Sequence, residues 1–188
     1  RQMCIRDRGS GRLSFSSDME SARGSQVHFV CVGTPQKRGE YGADLRFVEA
    51  ATESLLGVLG DGELVVGKST VPVGTAARLA ELAGEKVPGA GLAWNPEFLR
   101  EGFAVQDTLH PDRLVYGIPG GEKGVRAESL LDEVYASIVA AGTPKVVTDY
   151  ATAEMVKTAA NSFLATKISF INAMAELCDC LLYTSDAA

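Results

Sequence analysis

Two pairs of chemically useful residues stand four positions apart. Glu97 and Glu101 follow Asn95-Pro96, and Lys157 and Asn161 lie in a long stretch without Gly or Pro. Four residues is about one helical turn, so each pair shares a face where its segment is helical. A carboxylate so placed can act as a general base if it reaches the proton and is ionised when needed. Burial and neighbouring charges set that ionisation. At a helix start Glu97 also serves as a plain dipole cap, and spacing alone leaves both roles open. An ammonium and an amide on a rigid helix are preorganised donors for an oxygen gathering negative charge, a contribution of about 3–4 kcal/mol per donor. A lone helical lysine is usually solvated, but Val156, Ala159, Ala160 and Phe163 surround this pair with apolar or small residues, which favours an inward position. Thr70 offers a hydroxyl just before Val71-Pro72, and Gly33 lets a ligand approach the backbone of Thr34 and Pro35 closely.

These groups need elements to hold them. Val27–Val32 is a continuous apolar run ending at Gly33-Thr34-Pro35, the pattern of a strand buried on both faces of a parallel sheet. Asp44 then caps a predicted helix over 45–59, whose apolar Leu45, Val48, Ala51, Leu55 and Val58 form one stripe. Asp61-Gly62 turns into a strand over 63–67, followed by a helix through 76–83 and a strand at 92–94. The pattern continues with a short helix near 98–105, a strand at 113–117, an amphipathic helix over 126–140 and a strand at 145–148. From 151 to about 179 it is helical throughout. Strands alternating with helices predict a parallel α/β sheet with right-handed crossovers. In such sheets ligands bind beyond the carboxyl ends of the strands. Gly33-Thr34-Pro35-Gln36, Lys68-Ser69-Thr70 and Asn95-Pro96-Glu97 all fall there.

Composition narrows the options. The chain has 188 residues, a formal net charge of -6 and 46% hydrophobic residues, so it can build a real core. The acidic balance argues against nucleic-acid binding, which needs a basic stripe, and no apolar run is long enough to span a membrane. Cys31 sits in an apolar run, as a buried reduced thiol would. Cys178 and Cys180 lack metal-ligand partners, so no metal site is expected. No signal-peptide pattern appears, which makes the cytoplasm the default. Gly62-Glu-Leu-Val-Val-Gly67-Lys68-Ser69 fits a phosphate-loop pattern, but its middle reads as a strand, and Pro72 follows where a helix should begin. No G-x-G-x-x-G occurs.

Four strings taken in order resemble the UDP-glucose 6-dehydrogenase family. They are Val32-Gly-Thr-Pro-Gln36 with Gly42-Ala-Asp44, and Lys68-Ser-Thr-Val-Pro-Val-Gly74. Then come Asn95-Pro-Glu-Phe-Leu-Arg-Glu-Gly102 with Asp107 and Pro111-Asp-Arg113, and Ala153-Glu-Met-Val-Lys-Thr-Ala-Ala-Asn161 continuing to Ser169. The resemblance implies the C-terminal part of a Rossmann-like parallel sheet domain, here 9–149, followed by a long central helix, 150–179, that contributes to a homodimer. It implies oxidation of UDP-glucose to UDP-glucuronate with two NAD, through a cysteine-bound thiohemiacetal and thioester. Glu97 takes the acid/base position around thioester hydrolysis, and Glu101 the position that touches nicotinamide and substrate. Lys157, Asn161 and Thr70 complete the implied catalytic set. Cofactor contacts fall on Val32, Gly33, Thr34, Pro35, Gln36, Ser69, Thr70 and Glu101. Substrate contacts fall on Glu97, Phe98, Leu99, Arg100, Glu101, Lys157 and Asn161.

Residues 1–8 and 180–188 read as foreign, adapter-like ends. On the resemblance, the glycine fingerprint lies before residue 1 and the nucleophilic cysteine after residue 188. The chain alone is then expected to be inactive and to bind NAD weakly. Two alternatives remain: a sibling enzyme acting on GDP-mannose or a UDP-N-acetylhexosamine, and a non-catalytic nucleotide-binding module.

Overall fold

The computed structural model describes residues 9–181. The foreign-looking residues 1–8, with Cys4, and 182–188 lie outside them. After a 3-10 turn at Met19–Ala22, the chain runs β1 (Val27–Val30), α1 (Arg46–Leu56), β2 (Leu64–Gly67), α2 (Thr75–Lys86) and β3 (Gly91–Trp94). It continues with α3 (Ala104–Leu109), β4 (Leu114–Gly117), α4 (Gly121–Val134), α5 (Ala136–Ala140), β5 (Lys145–Thr148) and α6 (Tyr150–Cys180). The strands form one sheet in the order β1-β2-β3-β4-β5.

Side chains alternate across the central strands, giving the sheet two cores. Val65, Leu92, Trp94 and Val115 pack with Val48, Leu55, Leu79 and Ala83 of α1 and α2. Leu64, Val66, Ala93, Leu114 and Tyr116 face Ala127 and Leu131 of α4. Each fully buried aliphatic side chain there contributes about 1.5–3 kcal/mol of transfer free energy. Leu64-Val65-Val66-Gly67 is buried throughout, so the phosphate-loop pattern is a core strand and no helix follows it until Thr75.

Three expectations need correction. The sheet is not wholly parallel: β1, β2 and β3 run together, but β4 pairs antiparallel with β3 through Trp94 and Gly117. The connection after Trp94 contains only the six-residue α3, about 9 Å long and too short for a crossover. Asp107 ties that connection back on itself through Arg100, and the chain re-enters the sheet from the end it left. β1 is not buried on both faces: His28 and Val30 are buried, while Phe29 and Cys31 are exposed. β1 lies at the sheet's edge, beyond the main cover of α4. Finally, the helix expected over 126–140 starts earlier and breaks at Tyr135, whose hydroxyl is held by Asn95.

The rod α6 is capped by the Asp149 side chain, which accepts from the Thr152 N–H at 2.8 Å. It touches the body only in its first two turns, where Ala153, Glu154 and Lys157 are buried. From Thr158 onward every residue is exposed.

Candidate functional site

Two hydroxyls lace the tips of β1 and β2 together. Ser69 Oγ donates to the Val32 carbonyl at 2.6 Å, and Thr34 Oγ1 donates to the Thr70 carbonyl at 2.7 Å. Val32, Thr34, Ser69 and Thr70 are half-buried, whereas Gly33, Pro35 and Gln36 are exposed. The Gln36 amide turns into its own loop, donating to the Glu40 carbonyl at 2.8 Å. A Cβ added at Gly33 would meet nothing within 4 Å. The backbone is therefore open there, and a flat cofactor group can lie directly against it.

A buried polar node stands beside these tips. Asn95, 2% exposed, accepts from Lys68 Nζ at 3.0 Å and from the Tyr135 hydroxyl at 2.6 Å, and donates to the Val115 carbonyl at 2.9 Å. Lys68 Nζ also lies 3.3 Å from the Tyr135 hydroxyl. Burial pushes the Lys68 ammonium below the ordinary lysine value, opposed by negative charge at Cys31 and Glu97. Burial pushes Tyr135 up to about 12, and partial desolvation raises the thiol of the exposed Cys31 against the pull of Lys68.

The node leads directly into Glu97. Its Oε1 lies 3.3 Å from Lys157 Nζ, and its Oε2 accepts the Leu99 N–H at 2.6 Å. Lys157 is only 7% exposed and sits 5.4 Å from the Phe98 ring centre, with the Arg113 guanidinium 5.3 Å from the same ring. Both distances are within cation–π range. A cavity of about 300 Å³ opens here, lined by Phe29, Lys68, Asn95, Glu97, Phe98, Leu99 and Tyr135 among others.

The helix expected near 98–105 does not carry Glu97 and Glu101 on one face. Helix α3 begins only at Ala104. Before it, side chains hold the loop's backbone donors: Glu97 accepts the Leu99 N–H, and Asp107 accepts the Arg100 N–H at 2.8 Å. Gly102, at φ 82°, completes the turn. The Arg100 guanidinium is bound to Asp107 at 2.7 Å, within its own loop. Leu99 and Glu101 are exposed. Asn161 is exposed, and its side chain makes no hydrogen bond among the described residues. The fold thus unites Glu97, Phe98 and Lys157, and separately Val32, Thr34, Ser69 and Thr70. It leaves Glu101 and Asn161 on open surface.

Lys68, Asn95, Tyr135 and Glu154 were not singled out in the sequence. Lys68, Asn95 and Glu154 lie within the motif strings, so the signal was present without a reason to choose them. Nothing local distinguishes Tyr135.

Comparisons with known proteins agree with this geometry. Residues 1–139 match the NAD binding domain of the UDP-glucose/GDP-mannose dehydrogenase family, and residues 151–185 match that family's central domain. The UDP-glucose 6-dehydrogenase of Rhizobium meliloti (strain 1021) is 44% identical over 173 residues, 90% of this chain and 39% of that protein. That of Rickettsia felis is 41% identical over 172 residues, covering 90% and 37%. The chain therefore spans less than two fifths of the length of these relatives. Among solved structures, a UDP-glucose dehydrogenase from Pyrobaculum islandicum superposes with a TM-score of 0.82 at 42% identity, over 93% of this chain and 40% of that one. A GDP-mannose dehydrogenase from Pseudomonas aeruginosa gives 0.84 at 29% identity, over 94% and 41%. The overall fold is thus shared with solved nucleotide-sugar dehydrogenases, and the chain belongs to the UDP-glucose/GDP-mannose dehydrogenase family.

Proposed function

We propose that the chain is the cofactor-domain and central-helix part of an NAD-dependent UDP-glucose 6-dehydrogenase, which oxidises UDP-glucose to UDP-glucuronate with two NAD. One observation carries this reading: the 3.3 Å pair of Lys157 and Glu97, from elements distant in sequence, beside the tips of β2 and β3. Glucose is preferred over mannose because identity is 42% to the UDP-glucose enzyme against 29% to the GDP-mannose enzyme, at nearly equal TM-scores.

In this reading the division falls at Asp149, with 9–149 as cofactor domain and 150–179 as central helix. Val32, Gly33, Thr34, Pro35, Gln36, Ser69 and Thr70 hold NAD, whose bound role is to accept hydride, and Glu101 faces its nicotinamide end. The Lys157 ammonium, shielded from water, stabilises negative charge on the substrate oxygen, with Asn161 as second donor. Glu97 exchanges a proton with that ammonium or with water. Phe98, Leu99, Arg100 and Glu101 form the substrate-side loop.

Among the described thiols, Cys178 and Cys180 stand at least about 31 Å along the rod from Lys157. Cys31 is exposed, and partial desolvation shifts its thiol upward, away from the thiolate form that acts as a nucleophile. In this reading none of the described thiols serves as the nucleophile. The exposed Phe163, Phe170 and Ile171 on α6 suit a homodimer of the whole enzyme. Among the described residues no helix is long and apolar enough to cross a membrane, and the cytoplasm is the proposed location.

The test uses the longer enzyme that contains this chain. It should form two NADH per UDP-glucuronate, and Lys157→Met or Glu97→Gln should lower kcat by about 10²–10³-fold. Faster NAD reduction with GDP-mannose, or none with any nucleotide sugar, would refute the proposal.

A further inference from the structure

Glu154 is a carboxylate only 1% exposed, and no cation pairs with it among the described residues. Its two oxygens instead accept the N–H groups of Gly74 and Ala76, each at 2.7 Å. Those amides begin α2. The N-cap of α2 is Gly74, at φ 98°, which has no side chain with which to cap the helix. The cap comes from a residue 80 positions later in the chain. The positive end of α2 and two charge-assisted bonds together accommodate the buried charge. A Ser or Asp at the N-cap could serve an amide of the first turn, but it would not connect two elements.

The connection matters because of what each element carries. Glu154 and Lys157 are three residues apart, on one face of α6. The loop ahead of α2 begins with Lys68-Ser69-Thr70, and it closes where the Pro72 carbonyl accepts from Thr75. Two further anchors fix the rod to the sheet: the Tyr150 hydroxyl binds the Leu92 carbonyl of β3, and Ala153 packs on Gly117 of β4.

We propose that Glu154 is a positioning residue, fixing the rotation and depth of α6 against the loop after β2 so that Lys157 stays opposite Glu97 and in constant relation to Thr70. Its bearing on catalysis rests on the function proposed above, whereas its effect on Lys157 does not.

Two measurements separate these parts. In this chain, labelling of Lys157 by an amine-reactive reagent is followed by mass spectrometry, together with hydrogen exchange at Gly74 and Ala76. Glu154→Gln keeps the shape but faces one amide with a donor. It should speed both the exchange and the labelling about tenfold by local opening. Asp149→Ala weakens the start of the same rod without touching Gly74, and should leave labelling within about twofold of wild type. Unchanged labelling in Glu154→Gln, or equal acceleration in Asp149→Ala, overturns the proposal. Should Glu154→Gln not fold, Glu154→Asp, charged but too short to reach both amides, is judged by the same criteria.

In the longer enzyme, Glu154→Gln should lower kcat about tenfold with KM for NAD within about twofold, and an unchanged kcat overturns the catalytic part. A wild-type enzyme inactive on nucleotide sugars would end the function reading and leave the labelling result to decide the positioning.

Discussion

Replacing Asn95 by leucine tests whether the buried node beside Glu97 is a polar constraint or simple packing. Leucine keeps the volume and removes three bonds: those from Lys68 and Tyr135 to Oδ1, and that from Nδ2 to Val115. Lys68 keeps one contact, to the Tyr135 hydroxyl at 3.3 Å. Leaving a buried neutral group unsatisfied costs about 1–3 kcal/mol, and a charged one more. The added apolar burial of leucine offsets about 1 kcal/mol. The net loss is about 3 kcal/mol. With a urea slope of about 2 kcal/mol/M, the unfolding midpoint should fall by about 1.5 M. A neutral side chain at Lys68 needs no partner, so adding Lys68→Met should recover about 1–2 kcal/mol of that loss, a coupling read from the double-mutant cycle. A midpoint within about 0.3 M of wild type, or strictly additive changes, would refute the reasoning.

Alkaline pH should destabilise the fold. Burial raises Tyr135 and Tyr150 to about 12 and shifts Tyr116 upward as well. Their contribution is complete below the unfolded value near 10 and is lost as pH rises toward 12. Lys68, lowered by burial, acts in the opposite sense below its unfolded value, so the net fall should begin above about pH 10.5, as a urea series across pH would show. At Gly117, an added Cβ would lie 2.6 Å from the Ala153 Cβ, and Gly117→Ala should cost about 1–3 kcal/mol by overpacking. Gly84, inside α2 with open space around it, is the contrast: Gly84→Ala should stabilise by about 0.5–1 kcal/mol in the same assay. Asp107→Ala releases both the Arg100 backbone N–H and its guanidinium. Trypsin should then cut after Arg100 several-fold faster than in wild type, and an unchanged cleavage rate would refute that loop's dependence on Asp107.

Much of this architecture was legible in the residues. An apolar run ending at Gly33-Thr34 located β1, one beginning after the Asp61-Gly62 turn located β2, and the stripe of Val48 and Leu55 located α1. The rod was plain from the lack of Gly and Pro, and it continues through Cys180. Strand direction was not legible, because an apolar run reads the same whichever way the strand enters the sheet. Nor was the late start of α3, since the loop before it is held by Asp107, seven residues beyond Arg100. Burial of Phe29 and Cys31 was misjudged because hydrophobicity reports a preference for cover, not whether a neighbour supplies it. Thr34, Ser69 and Thr70 stand just beyond the strands that the apolar runs mark. The partners that hold them, and the long-range cap from Glu154, emerge only when segments 30 or more residues apart meet.

The rod is seated over two turns and then runs free for 23 residues, Thr158 to Cys180. That is about 34 Å of stiff helix on a short footing. Such a shape works as a lever: a rocking of only about 5° at the seat carries the far end through about 3 Å.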